Sequence, residues 1–67
     1  MEGFVIEYRT VNSEEVRQTF TMADSPEEAM ERFSRIKGGR ITVLSIQGYD
    51  RVTETYVGEK MTDLNSI

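Results

Sequence analysis

The segment Asp24-Ser25-Pro26-Glu27-Glu28-Ala29 constrains this chain more than any other. Ser25 is a helix cap, and Pro26 suits the first helical position, where its missing N–H would have no partner in any case. Glu28, three residues after Ser25, completes a capping-box pattern. Ala29, Met30, Phe33 and Ile36 follow at helical spacing as one apolar stripe. Glu27, Glu28 and Glu31 lie at the positive end of the helix dipole, and Arg32, Arg35 and Lys37 at its negative end. Gly38-Gly39 stops the helix, because glycine takes the left-handed cap conformation without strain. One helix of about a dozen residues therefore sits near the middle of the chain, and the rest must be built around it.

Both flanks read as strands. Residues 4–10 alternate, with Phe4, Ile6 and Tyr8 on one face and Val5, Glu7 and Arg9 on the other. Asn12-Ser13-Glu14 is a turn. Residues 15–22 form a second strand, with Val16, Gln18, Phe20 and Met22 opposite Arg17, Thr19 and Thr21. After the helix, residues 40–47 are apolar on both faces, as a central strand should be. Gly48-Tyr49-Asp50 reads as a turn, and residues 51–57 as a fourth strand ended by Gly58. Met61, Leu64 and Ile67 recur at intervals of three in a tail, 59–67, that is a short helix or a flexible end. The expectation is a single α+β domain over residues 1–67, with an ordered core at about 3–58. Its ββαββ order gives an antiparallel sheet 2-1-3-4, with the helix on one face.

Size limits what such a domain can do alone. A chain of 67 residues buries only about 60% of its unfolded surface. With no Cys and no His, disulfides and the usual metal ligands are unavailable, so oligomerisation is the remaining route to extra stability, and a homodimer is expected. The absence of His and Cys also removes the commonest general base and the thiol nucleophile, and no cofactor or metal is expected. No apolar run has the length of a membrane helix and no signal-peptide pattern opens the chain, so a cytoplasmic location is expected. The net charge of −4 argues against binding nucleic acid through its backbone. That charge is uneven, −6 over residues 1–31 and +2 over residues 32–67.

Candidate contact residues follow from this layout. If Phe4, Ile6, Tyr8, Val16, Phe20, Met22, Leu44 and Ile46 face the helix, then Val5, Ile41 and Val43 form an apolar patch on the other face. Either the tail folds back over that patch or a partner covers it. Tyr49, placed in a turn, is the exposed aromatic anchor, whereas Tyr8 and Tyr56 read as core and edge packing rather than as base-stacking platforms. Glu27, Glu28 and Glu31 read as a solvated first turn rather than an acid–base or metal cluster. Glu27 and Glu31 are also candidates to meet a basic partner, or to imitate nucleic acid toward a nucleic-acid-binding enzyme. The rival class is a phosphate or nucleotide site built from Arg9, Arg17, Arg32, Arg35 and Arg40. The glycine pair follows the helix, so it is not a phosphate-binding loop of the P-loop type.

The run from Phe20 to Phe33, followed by Ile41-Thr42-Val43-Leu44-Ser45-Ile46, resembles the short ββαββ proteins encoded by bacteriophages, prophages and their hosts. The resemblance covers residues 4–57 and implies a small cytoplasmic accessory protein. In phages such proteins often bind and inhibit a host protein, antiviral defence components among them. It carries over no active-site residues. The expected function is that of a non-enzymatic binding protein.

Overall fold

The computed structural model describes residues 1–38 and 40–62. The element order is β1 (Glu2–Thr10), β2 (Arg17–Ala23), α1 (Pro26–Lys37), β3 (Ile41–Asp50) and β4 (Thr55–Met61). The four strands form one antiparallel sheet in the order β2-β1-β3-β4, as the sequence leads one to expect, and α1 packs across one face.

The helix ends behave as the sequence indicates. Ser25 is extended (φ −154°, ψ 162°), and its Oγ accepts the Glu28 N–H at 3.2 Å. The Glu28 carboxylate pairs with Arg32 at 2.8 Å instead of returning to the Ser25 N–H, so only one half of the expected capping box forms. Gly38 closes the helix in the left-handed region (φ 75°) and donates its N–H to the Ser34 carbonyl at 2.9 Å. Gly39 lies outside the described residues. Ser25→Ala is expected to cost about 1 kcal/mol by orphaning the Glu28 N–H, measured as a lowered midpoint in denaturant melts.

The core gathers Phe4, Ile6 and Tyr8 of β1, Ala23 of β2, Ala29 and Phe33 of α1, and Val43 and Ile46 of β3, with Met30 and Ile41 against it. Tyr8 and Phe33 meet with ring centroids 4.7 Å apart, which ties helix to sheet. The helical stripe turns slightly from its expected direction. Ala29 and Phe33 face the sheet, and the next position on that line is Lys37, whose ammonium lies 5.6 Å from the Tyr8 ring centroid. Ile36, about sixty degrees around the helix from Phe33 and in its last turn, is 78% exposed.

Two face assignments are corrected. In β2, the pairs Ile6↔Thr19 and Phe4↔Thr21 put the threonines on the helix side, while Val5↔Phe20 and Gly3↔Met22 put Phe20 and Met22 on the opposite side. Val16 precedes the strand and is exposed. In β3, Glu7 pairs with Ser45 but Tyr8 pairs with Val43, so Leu44 is an extra residue in a bulge. The bulge reverses the alternation on its far side. Val43 is therefore in the core and Ile41 packs against it, both on the helix side and neither beside Val5.

The last hairpin is also shifted. Gly48 and Tyr49 belong to β3, and the turn is residues 51–54, where the Asp50 carboxylate accepts the N–H groups of Val52 (2.8 Å) and Thr53 (3.4 Å). Gly58 lies inside β4, which continues through Glu59 to Met61, so these residues are strand rather than tail helix. Leu64 and Ile67 lie outside the described residues.

Candidate functional site

The sheet face opposite the helix carries the most distinctive side chains of the molecule. Phe20 of β2 reaches across β1 at Gly3, where the absence of a side chain leaves room for its ring. It meets Tyr49 of β3 edge-on, with centroids 6.2 Å apart, and Tyr49 meets Tyr56 of β4 at 5.1 Å. Three rings from three strands thus form a row. The Arg51 guanidinium lies 4.9 Å from the Phe20 centroid and closes one end. Tyr56, at 52% exposed, and Met22 are the most open of these groups, and Val5 lies on the same face. At the Gly3 and Gly48 end of the sheet, a groove of about 870 Å³ is lined from both faces, by Phe20, Met22 and Tyr49 on the open side and by Pro26 and Val57 on the helix side.

A polar cluster adjoins the rings. Glu7 accepts hydrogen bonds from Ser45 Oγ and from Gln18 Nε2 (3.3 Å), and Lys60 Nζ pairs with it at 3.0 Å. The Ser45 bond, then Lys60 and Gln18, hold the Glu7 carboxyl below its ordinary value of 4.5, against a smaller opposing effect of burial. Tyr56 and Val5 line the same small hollow as Glu7 and Lys60, so aromatic row and charge cluster are one continuous surface. Because the folded pKa of Glu7 is depressed, its contribution to stability is complete above pH 4.5 and is lost as pH falls through the lower folded value. Glu7→Gln is therefore expected to flatten the acid limb of a stability-versus-pH curve. An unchanged acid limb would show that the cluster contributes nothing to folding.

The residues singled out from the sequence are distributed as follows. Val5 and Tyr49 lie on this face, and Tyr49 is half-buried in a strand rather than exposed in a turn. Ile41 and Val43 are on the helix side. Glu27 and Glu31 lie on α1, across the sheet from the aromatic row, and Glu31 is engaged by Arg35. The five arginines do not converge. Arg32 pairs with Glu28 and donates to the Met22 carbonyl, Arg35 pairs with Glu31, and Arg17 pairs with Glu15 at the sheet edge. Arg9 is on the open face near Thr42, and Arg40 follows the helix, with its carbonyl accepting the Val11 N–H.

Phe20, Tyr56, Glu7 and Lys60 do not stand out as contact residues in the sequence. The alternation of β2 groups Phe20 with apolar neighbours and so disguises it as core. The signal that finds it is Gly3, a glycine within the central strand β1, which marks close approach of another group. Among the described residues no helix is long and apolar enough to cross a membrane, and no group of three or more acidic side chains is placed to hold a metal ion. No family model, curated protein or solved structure matches this chain.

Proposed function

We propose that this chain is a non-enzymatic binding protein that acts by laying its open sheet face against another protein. The observation that carries this reading is the row Phe20–Tyr49–Tyr56, held on a sheet face that no described element covers. Rigid aromatic side chains beside a satisfied charge cluster have the composition of an interface hot spot with its polar surround. The separation of the five arginines onto both sides of the sheet favours protein contact over a single phosphate site. The acidic start of α1 is a secondary surface, open to a basic partner through Glu27. The resemblance to phage and prophage proteins makes the partner a host protein in the cytoplasm, with inhibition by occupancy as the consequence, a defence component being one such target.

The test compares baits. Wild-type protein and a Tyr49→Ala/Tyr56→Ala variant are presented to host lysate in parallel, and the captured partner is then titrated by calorimetry. The aromatic pair is expected to lose ~30-fold or more in affinity. Glu27→Lys with Glu31→Lys is expected to slow association and reduce its salt dependence. Micromolar binding of a nucleotide, abolished by Arg32→Glu with Arg35→Glu, would overturn the protein-contact reading in favour of a small ligand.

A further inference from the structure

The two edges of the sheet are built differently. β4 is blunted. Gly58 is left-handed (φ 79°), the register slips between Ile46 and Gly48, and Lys60 stands on the strand. Such irregularity, together with a lysine, discourages pairing with a further strand. β2 is regular. It pairs with β1 in an unbroken register from Arg17 to Ala23, contains neither Gly nor Pro, and carries one charged side chain, Arg17. No described strand covers its outer side. A regular edge with so little charge is a template for another extended chain.

The residues of β2 favour one occupant, a second copy of β2. Antiparallel pairing about a two-fold axis at Phe20 places Phe20 opposite Phe20, Thr19 opposite Thr21, and Gln18 opposite Met22. Threonine pairs are among the cross-strand neighbours that stabilise antiparallel sheets, while each Phe20 ring stays turned inward over Gly3 of its own sheet. Arg17 falls opposite Ala23, so no like charges meet. Near the end of the strand, Arg32 donates to the Met22 carbonyl at 3.3 Å, a bond that pairing with Gln18 of the second copy would replace.

The geometry points to a homodimer joined through the β2 edges, with two four-stranded sheets becoming one of eight. The open faces then run together, and the two Tyr56–Tyr49–Phe20 rows lie on one continuous face, one on each side of the axis. Each copy supplies half of that surface. The dimer stands on strand geometry alone and does not depend on what the face binds.

Sedimentation equilibrium of the wild-type chain across a concentration series is expected to give twice 7.7 kDa by high micromolar concentration. The pairing register is tested separately with cysteines, which the native chain lacks. Gln18 and Met22 are both exposed, so their replacement spares the core. Opposed residues in an antiparallel pair stand ~4.5–5.5 Å apart at Cα, within disulfide reach. Gln18→Cys/Met22→Cys is expected to oxidise to a covalent dimer, whereas Gln18→Cys alone stays monomeric on a non-reducing gel. A mass that stays at 7.7 kDa, a double variant that fails to cross-link, or equal cross-linking by the single variant would each overturn the β2 dimer.

Discussion

Ile46→Ala is expected to destabilise the fold by about 3 kcal/mol. Ile46 is fully buried, and it pairs across the sheet with Ile6, which is equally buried. These two side chains occupy the centre of the sheet, where neighbouring strands leave little freedom to close a cavity, so both the lost transfer energy and the cavity are felt. At about 0.05–0.15 kcal/mol per residue, a domain of this length has roughly 3–10 kcal/mol in hand, and the substitution removes a large share of it. Urea melts should show a much lower midpoint, with a population unfolded even in buffer. Ile36→Ala is the control. That side chain is 78% exposed, and its loss is expected to change stability by no more than about 0.5 kcal/mol. Equal effects at the two positions would mean that α1 packs through Ile36 rather than through Ala29 and Phe33.

Gly3→Ala is expected to cost about 2 kcal/mol and to break the aromatic row at the same time. A Cβ on Gly3 would stand 2.5 Å from the Phe20 ring and 2.7 Å from the Tyr49 carbonyl oxygen. The ring can swing aside, but the carbonyl belongs to the β3 backbone and can yield only by shifting the strand. Near-ultraviolet circular dichroism should report the displaced rings, and denaturant melts the lost stability. Binding through the open face should weaken in the same variant, since Phe20 no longer supports Tyr49. A Gly3→Ala protein with wild-type stability and an unchanged aromatic spectrum would remove Phe20 from the proposed surface.

Much of the fold is legible in the amino-acid order, because its signals are local. Ser25, Pro26 and Gly38 mark the helix through backbone groups within four residues of themselves. The alternation of Phe4, Ile6 and Tyr8 marks the core face of β1 within a single strand. Chain direction then admits the order 2-1-3-4 with every neighbour antiparallel. The last turn reads too early because Gly48-Tyr49-Asp50 has turn composition, yet Asp50 alone initiates the turn, through its carboxylate. Composition does not reveal that Gly48 sits in a strand, where a Cβ would come within 2.6 Å of the Val57 carbonyl oxygen.

The candidate site is far less legible. A strand has two faces, and which of them meets the helix is a parity that one residue of register reverses. In β2 the parity depends on pairing across the 11–16 connection, which turns Thr19 and Thr21 toward the helix and Phe20 and Met22 away. In β3 it depends on the Leu44 bulge, which carries Val43 into the core and Ile41 against it. The same register brings Glu7 to Ser45, residues 38 positions apart, and the β3–β4 pairing brings Lys60 to Glu7. The elements, their order and the ends of the helix follow from the amino-acid order, because hydrogen bonds and apolar periods close within a few residues. Which face is open and which side chains gather there are settled in three dimensions, by pairing between residues distant in the chain.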